Sequence, residues 1–497
     1  MKEIYTSVTK IRRQVFAEVA KLAEHGDYSR IEEIPYKIIP GEIPTYRESV
    51  FKERAIVGER LRLALGLPLR AADDPAPISR GIEKCEEVRD VYEPPLINVI
   101  PFACDACDTK SFVVSDNCRS CLAHPCMSVC PAKAVSFVNG RSHIDRDKCL
   151  RCGRCKDVCP YHAIIQYDRP CAAACGMDAI GSDHLGRAKI DPDKCVACGQ
   201  CLVNCPFGAI SDKSQIFQLV RALRTGRTVI AAIAPAFVGQ FGPLATPEKV
   251  KDALLKLGFA DVYEVAVGAD AGAVAEAHHF AHKVATGEER FLATSCCPSW
   301  SVMAKKCFPE LADYVSKELT PMVATARTIK RDRPEAAIAF IGPCTAKKLE
   351  AMRRTVESNV DFVITFEELM GIFAAFDIQF ASETESQFVD HVTSAGRGYA
   401  VAGGVANAIT SCVNELYPEL EVKVDRAEGL KNCKKMLTLA KAGRREGYLL
   451  EGMACPGGCI GGCGTMLQPA KAQAQVDKFA AAAKRKTPTQ NDGRRGE

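Results

Sequence analysis

Residues 451–464 read EGMACPGGCIGGCG and combine three evenly spaced cysteines with six glycines. A segment this rich in glycine does not form a stable helix or a packed strand, because glycine loses the most backbone freedom on folding. It does let the backbone approach a bulky group closely while thiolates point at that group. The plain alternative is a flexible loop with buried cysteines. We predict that these cysteines help to hold an iron–sulfur or organometallic group whose other ligands come from elsewhere in the chain.

The composition bounds the class of protein. The chain has 497 residues, enough for two to four domains, and its formal net charge of +4 gives no argument for nucleic-acid binding. The longest apolar stretch, 229–245, is broken by proline and glycine and predicts no membrane span, and the N-terminus shows no export signal. We therefore expect a cytoplasmic protein whose 26 cysteines stay reduced and serve metal binding or catalysis.

Residues 101–212 contain 16 of the 26 cysteines. Two runs, 149–160 and 195–206, have the bacterial ferredoxin spacing C-x2-C-x2-C-x3-C-P, and a variant with C-x2-C-x4-C-x3-C-P covers 118–131. In this pattern three close thiolates bind one 4Fe-4S cubane and the fourth cysteine binds a neighbouring cubane. Zinc is the competing interpretation of any C-x2-C pair, but a zinc site needs neither the third cysteine nor the C-x3-C-P exit.

The remaining pairs, Cys104-x2-Cys107 and Cys171-x3-Cys175, form a split run around residues 108–170. We therefore expect one two-cluster ferredoxin-like module nested inside another, with four clusters that carry single electrons between a surface partner and a buried site. The alternative is that Cys104 and Cys107 are structural thiols and only three clusters form. The four expected ligand sets are Cys118, Cys121, Cys126 with Cys159; Cys149, Cys152, Cys155 with Cys130; Cys195, Cys198, Cys201 with Cys175; and Cys104, Cys107, Cys171 with Cys205.

From about residue 228 onward, short apolar runs alternate with helical stretches, which predicts an α/β domain. Three apolar runs each lead into a cysteine motif: TSCCPSW at 294–300, GPCTAKK at 342–348, and the stretch 451–464. Sites in open α/β sheets collect beyond the carboxyl ends of the strands, and helix N-termini there suit an anionic group. We therefore expect four cysteines to converge as ligands: Cys297, Cys344, Cys455 and Cys459. The lone Cys307, Cys412 and Cys433 are expected in the core.

Together the three motifs, TSCCPSW, PCTAKK and EGMACPGGCIGG, strongly resemble the signature motifs of the FeFe-hydrogenases. The resemblance runs from about residue 228 to 467. It implies an α/β catalytic domain with two lobes around an H-cluster at 213–470. The α+β ferredoxin-like modules at 101–212 and a helical N-terminal region with a connector at 1–100 precede this domain. A helical and then disordered tail is expected at 471–497.

The resemblance also implies roles for individual residues. The four converging cysteines would hold a 4Fe-4S cubane, and Cys459 would also bridge to a two-iron subcluster that carries CO, cyanide and a dithiolate amine. Lys347 would hydrogen-bond one cyanide, Ala234 and Pro235 would contact the other through their backbone, and Met453 would pack on the cluster. Protons would pass from Cys296 to Glu276 and Ser316. Without that role, Cys296 is a buried thiol and Glu276 a solvated helix residue.

Five positions depart from the best-characterised members of that family. His279 stands where they have a second relay glutamate, and its near-neutral pKa would still allow a relay. The other four are Ala236 for serine, Met322 for glutamine, Gly342 for methionine and Cys463 for glycine. These changes imply fewer hydrogen bonds to the cofactor and a modified proton exit, and they point to the group B branch.

The function implied by the resemblance is the reversible reaction 2H⁺ + 2e⁻ ⇌ H2. A soluble ferredoxin or similar one-electron carrier is the implied partner, and dedicated maturation proteins would deliver the two-iron unit. Three alternatives remain: a slow H2 or redox sensor with the same site, a narf-like iron–sulfur assembly protein without enzymatic activity, and a plain electron-transfer protein. The complete PCTAKK and CPGGC motifs argue against the second, and the C-terminal half argues against the third.

Overall fold

The computed structural model describes residues 6–26, 28–71, 73–86, 94–353, 356–388 and 392–491. The N-terminal region is helical. Helix α1 is capped by the Thr6 side chain, which accepts a hydrogen bond from the Thr9 amide, and it ends at Gly26 in the left-handed conformation. The helices of this region are α1 (Ser7–His25), α2 (Ile34–Ile38) and α3 (Val50–Ala64).

The cysteine-rich region consists of two small units, one inside the other. In the inner unit β2 pairs with β5 and β3 with β4, and in the outer unit β1 pairs with β8 and β6 with β7, all antiparallel. The chain path is thus the nested one that the split cysteine run predicts. The elements in chain order are β1 (Ile97–Val99), β2 (Ser111–Val114), α4 (Pro125–Ser128), β3 (Val135–Val138), β4 (Arg141–Ile144), α5 (Arg154–Asp157), β5 (Ile164–Tyr167), α6 (Pro170–Ala173), β6 (Ile180–Ser182), β7 (Ala188–Ile190), α7 (Gln200–Asn204) and β8 (Ile210–Asp212).

Two parallel sheets form the C-terminal half, with strand orders β10-β9-β12-β13 and β11-β15-β14. The central strands β9 and β12 are buried along their whole length, as expected for strands covered on both faces. The strands are β9 (Val229–Ile233), β10 (Asp261–Glu264), β11 (Phe291–Ala293), β12 (Ala337–Gly342), β13 (Phe362–Thr365), β14 (Lys423–Glu428) and β15 (Tyr448–Met453).

Helices connect and cover these strands. Helix α10 carries Glu276 and continues at its end into a π-helical segment, Phe280–Val284. The helices are α8 (Ile216–Arg224), α9 (Pro247–Leu257), α10 (Ala266–His279), α11 (Pro298–Cys307), α12 (Pro321–Asp332), α13 (Ala346–Ala351), α14 (Phe366–Ala375), α15 (Ser394–Gly398), α16 (Gly404–Leu416), α17 (Leu430–Lys441) and α18 (Pro469–Ala481). In the part of the chain described, no helix is long and apolar enough to cross a membrane.

Buried polar contacts join the three regions. Helix α1 lies against α14 so closely that a Cβ on Gly371 would come within 2.4 Å of Phe16 Cβ. The fully buried Lys348 donates to Asp212 at the end of the outer unit (2.7 Å) and to Glu368 on α14 (2.8 Å). A cation and two carboxylates buried together tie the cysteine-rich units to the α/β domain, since losing one partner would leave an uncompensated charge.

The predicted ends differ from the structure. The prediction of a disordered tail is wrong for the residues up to Asn491. The side-chain amide of Asn491 donates to the buried Asp270 (2.9 Å), and the Arg485 carbonyl accepts from the Ser394 amide. These partners lie far away in the sequence, so the polar composition of the tail did not reveal them. Residues 492–497 lie outside the described residues. The expected connector at 81–100 contains β1, and its residues 87–93 are likewise outside the described part.

Candidate functional site

The four expected cysteine ligands line one cavity between the two sheets. Each follows the carboxyl end of a strand: Cys297 follows β11, Cys344 follows β12, and Cys455 and Cys459 follow β15. Parallel strands bring these ends to the same side, which is why loops far apart in sequence meet here. The cavity is also lined by Ala234, Pro235, Cys296, Lys347 and Met453, the residues expected to contact the cofactor or relay a proton.

The four cysteines are placed around a mostly apolar cavity. Among the described residues, no three His, Cys, Asp or Glu side chains converge closely enough to hold one metal ion. A bulky iron–sulfur group would use thiolates placed around it in this way.

The raised pKa values of the four thiols favour a bound group that is positively charged. Burial raises the pKa of Cys344 and Cys455 well above the usual range and that of Cys459 to about 12. Burial also raises the pKa of Cys297, and hydrogen bonds from backbone amides counteract part of this rise. Four thiols packed together without metal would therefore stay protonated near neutral pH, and metal binding is what deprotonates such thiols.

Lys347 supplies a fixed cation at the edge of the cavity. Its Nζ donates to Glu350 (2.7 Å) and to the backbone carbonyl of Cys296 (3.3 Å). Burial lowers its pKa, but Glu350 and the thiols of Cys344 and Cys296 raise it by more, so the pKa lies above its ordinary value. Lys347 therefore stays charged and positioned for an anionic ligand in a dry cavity.

The half-buried Cys296 and the buried Glu276 are neighbouring titratable groups. Burial, followed by the thiols of Cys297 and Cys459, raises the pKa of Cys296 well above the usual range. Burial raises the pKa of Glu276 to about 7, although hydrogen bonds from the Ser316 hydroxyl and the Ser295 amide lower it. Glu276 can thus gain or lose a proton near neutral pH, as a relay group must.

Two neighbours of Glu276 were missed in the sequence. Tyr399 lines the cavity, and its buried hydroxyl has no hydrogen-bond partner in the described part of the chain. Glu318 is half-buried, its charge acts on Glu276, and its amide donates to Ser316 Oγ (3.3 Å). Neither residue belongs to a motif, so only the fold could place them beside Glu276.

His279 is half-buried at the end of α10, and its Nε2 lies 2.9 Å from Glu289 Oε2. Gly342 is explained by packing, because a Cβ there would come within 2.2 Å of the Phe340 ring, and that ring lines the cavity. The core expectation holds for Cys412 and Cys433, but Cys307 is exposed because it is the last residue of α11.

Gly458 and Gly462 of the opening motif line the cavity and also lie against neighbouring backbone. A Cβ on Gly458 would come within 2.5 Å of the Ala402 amide nitrogen, and one on Gly462 within 2.3 Å of the Pro343 carbonyl oxygen. These residues let the ligand-bearing loops pack against one another. The close approach is thus between backbone segments that carry or flank the cysteines.

In the cysteine-rich units, the last cysteine of each C-x3-C pair accepts the same kind of hydrogen bond. A backbone amide four residues later donates to the cysteine sulfur at Cys130, Cys159, Cys175 and Cys205, at 3.2–3.4 Å. Amide donors to sulfur favour the thiolate and so suit a cluster ligand. Cys104 accepts a corresponding bond from the Ala188 amide (3.3 Å).

Thiols of one expected ligand set lie close enough to shift one another's pKa. Burial raises the pKa of Cys155 to about 11, with Cys149 and Cys130 among the causes. Burial raises the pKa of Cys171 to about 11 too, with contributions from Cys205 and Cys104. The structure thus brings the two halves of the split run together. In the same way, Cys175 acts on the pKa of Cys195, Cys198 and Cys201.

The loop 196–200, which carries Cys198, lies directly against the cavity cysteines. Thr345 Oγ1, next to Cys344, donates to the Ala197 carbonyl (2.6 Å), and Gln200 Nε2 donates to Cys455 Sγ (3.4 Å). Ser299, two residues after Cys297, donates to the Val196 carbonyl (2.9 Å). We call this set of contacts the junction.

Cys463 completes the junction. Its thiol donates weakly to Thr345 Oγ1 (3.6 Å), and a Cβ on Gly199 would lie 2.4 Å from its sulfur. Gly199 also has φ of +73°, a conformation that suits glycine. Glycine at 199 thus makes room for the cysteine that this chain has in place of the family's glycine.

We expect Gly199→Ala to loosen the junction, because its Cβ would collide with Cys463 Sγ. The melting temperature should fall, and electron transfer from the Cys195 set to the cavity, measured by freeze-quench electron paramagnetic resonance, should slow. The double variant Gly199→Ala/Cys463→Gly restores the space and should recover most of the transfer rate, while the strained φ keeps part of the stability loss, about 1 kcal/mol. Equal transfer rates in the single and double variants would contradict this account.

Comparison with known proteins agrees with this geometry. The family described as iron only hydrogenase large subunit, C-terminal domain, matches residues 227–463. An LdpA Fe-S cluster-binding domain matches residues 118–168, and a 4Fe-4S binding domain matches residues 188–211. The LdpA match covers the inner unit. The 4Fe-4S match covers the cysteine run 195–206, whose loop 196–200 forms the junction.

Curated relatives extend the match. The periplasmic [Fe] hydrogenase large subunit of Nitratidesulfovibrio vulgaris is 30% identical over 66% of this chain and 86% of that protein. Iron hydrogenase 1 of Clostridium pasteurianum is 27% identical over 74% of this chain and 73% of that protein. The cytosolic Fe-S cluster assembly factor NAR1 of Kluyveromyces lactis is 35% identical over 18% of this chain, and Protein NAR1 of Arabidopsis thaliana is 24% identical over 54% of this chain and 71% of that protein. On these matches and the cysteine-lined cavity, the chain belongs to the iron-only (FeFe) hydrogenase family, with iron–sulfur ferredoxin-like domains in its N-terminal half.

Proposed function

We propose that this chain is an enzyme that catalyses 2H⁺ + 2e⁻ ⇌ H2 at an H-cluster in the cavity between the two sheets. The observation that carries the proposal is that two features meet at one cavity. Four cysteines surround it, and the thiol of Cys296, which also lines it, lies near the buried carboxyl group of Glu276. A cubane alone would need the four cysteines but not this thiol–carboxyl pair.

The cofactor assignment follows the residues that line the cavity. Cys297, Cys344, Cys455 and Cys459 would hold the cubane, with Cys459 shared with the two-iron subcluster. Lys347, the backbone at Ala234 and Pro235, and the Met453 side chain would contact that subcluster, which supplies the iron centre at which protons and electrons combine. The chain's own part is to bind it, exclude water with an apolar lining, and deliver protons and electrons.

Protons would move through groups that this chain buries beside the cavity. The Cys296 thiol stays protonated and can hand on its proton, and Glu276 exchanges protons near neutral pH because burial raises its pKa to about 7. The Ser316 hydroxyl donates to Glu276, and the half-buried Glu318 lies beyond it. The exit would then run through Ser316 and Glu318, and the pair of His279 with Glu289 is a further group that can relay protons near the end of α10.

Electrons would travel through the nested units. The cluster of Cys195, Cys198, Cys201 and Cys175 would be the last before the cavity, because its loop makes the junction with the cavity cysteines. The other three clusters extend the path toward the surface, where a one-electron carrier would dock.

Iron–sulfur assembly is the second candidate, supported by the similarity to an assembly factor. A NAR1 relative matches 54% of this chain at 24% identity, whereas the Nitratidesulfovibrio hydrogenase subunit matches 66% at 30% identity. A low-turnover sensor would share the whole site and differ only in rate, so the rate of H2 formation is the property to measure.

Cys296→Ser tests the proposal at the proton step. The matured wild-type chain should evolve H2 from dithionite-reduced methyl viologen, and the variant should keep its iron while losing about 100-fold in rate, since a hydroxyl is a far weaker acid than a thiol. Cys307→Ser, at an exposed cysteine, is the matched control and should keep its rate. If the wild type forms no H2, the proposed enzymatic activity is refuted. If Cys296→Ser keeps full activity, the proton-relay role of Cys296 is refuted.

Cys104→Ala tests the number of accessory clusters. If Cys104, Cys107, Cys171 and Cys205 hold a cluster, the variant should lose about four irons per chain, because a cubane that lacks one thiolate is released. Iron should be counted by colorimetric assay beside Cys85→Ala, which removes a buried cysteine outside every ligand set. An unchanged iron content in Cys104→Ala would leave three accessory clusters.

A further inference from the structure

The inner cysteine-rich unit carries the whole net charge of the chain. Residues 111–167 contain eight Lys or Arg against four Asp and no Glu, a formal net charge of +4. The other 57 basic residues balance the other 57 acidic residues. Two of the four aspartates are paired within the unit, Asp116 with Arg141 and Asp145 with Lys148, which leaves the basic excess on the remaining side chains.

This charge surrounds the most exposed cluster ligand. Of the 16 accessory cysteines, all within the described residues, Cys152 alone is exposed. Arg151, Arg154 and Lys156 beside it are exposed and make no ion pair in the described part of the chain, and Leu150 is 67% exposed. We call these five residues the Cys152 patch. No acidic residue occurs between 148 and 156, although Asp147 and Asp157 flank the segment.

Two of the other accessory cluster sites are covered by protein, and the third, the Cys118 set, lies near the surface of the same inner unit but has no exposed cysteine. The loop of Cys198 makes the junction with the cavity cysteines. The segments that flank Cys104 and Cys205 are covered by the N-terminal region, where Arg47 donates to the carbonyls of Ala103 (3.3 Å) and Phe207 (2.8 Å). An electron that crosses only short gaps therefore reaches solvent most directly at Cys152.

We propose that the Cys152 patch is the docking surface for a small acidic ferredoxin, which exchanges single electrons with the cluster held by Cys149, Cys152, Cys155 and Cys130. This rests on the proposed electron path to the cavity. Exposed basic side chains steer an acidic partner and align it, and exposed Leu150 gives the small apolar contact typical of brief encounters. One electron passes from the reduced ferredoxin cluster to the accessory cluster, with no bond formed or broken.

The test measures electron transfer without H2. Dithionite-free, reduced 2[4Fe-4S] ferredoxin is mixed with the oxidised full chain in a stopped-flow spectrometer, and the second-order rate constant is followed with rising salt. Arg151→Glu/Lys156→Glu should lower the rate constant about tenfold or more at low salt and abolish its salt dependence. Lys305→Glu/Lys435→Glu, with the same charge change on exposed side chains of α11 and α17, should stay within about twofold of the wild type.

Each other outcome overturns the proposal. An unchanged rate constant in Arg151→Glu/Lys156→Glu would place electron exchange elsewhere on the surface. An equal loss in both double variants would show that the overall charge of the chain, and not the Cys152 patch, sets the rate. A wild-type rate that is insensitive to salt would exclude an acidic partner. If sedimentation shows a wild-type dimer that the patch variant separates, the surface binds a second copy of the chain instead. Because H2 is not measured, failure of the hydrogenase reaction would appear separately, in the viologen assay.

Discussion

Four cysteines buried together beyond the ends of parallel strands are the constraint on which the rest of this molecule depends. Without metal, each sulfur is held in its protonated form by burial and by its neighbours. Bound to a cluster, the same sulfurs are thiolates that need surrounding donors and cations. The fixed charge of Lys347, the amides at Cys297 and the amide of Gln200 meet that need from three directions.

The same constraint explains the packing around the site. The ligands sit on loops that must touch each other, and glycine at 458 and 462 permits this contact between backbones. The nested units then come close enough for the Cys198 loop to bond to residues beside three of the cysteine positions. On the proposed electron path, the contacts that position the cysteines would also bring the last accessory cluster close to the cavity. Lys348, buried between Asp212 and Glu368, holds the two parts in register.

Much of this could be predicted from the sequence, because cysteine spacing and strand-motif order are local signals. The nested chain path, the α/β character of the C-terminal half and the convergence of Cys297, Cys344, Cys455 and Cys459 followed from them. Tyr399, Glu318 and the role of Gly199 did not, because each depends on a partner far away in the chain. His279 was placed by analogy with a glutamate, and its pairing with Glu289 depends on the turn after α10. The order of the tail up to Asn491 likewise depends on the distant Asp270.

The central claim is that the cavity holds a two-iron unit with CO and cyanide ligands beside a cubane. Infrared spectroscopy of the chain, produced together with hydrogenase maturation proteins, tests it most directly, because protein groups do not absorb in the CO and cyanide stretching region. The account predicts sharp bands there that shift when the sample is reduced under H2. A spectrum without such bands, from a sample whose accessory clusters are fully loaded with iron, would contradict it and leave the cavity with a cubane alone.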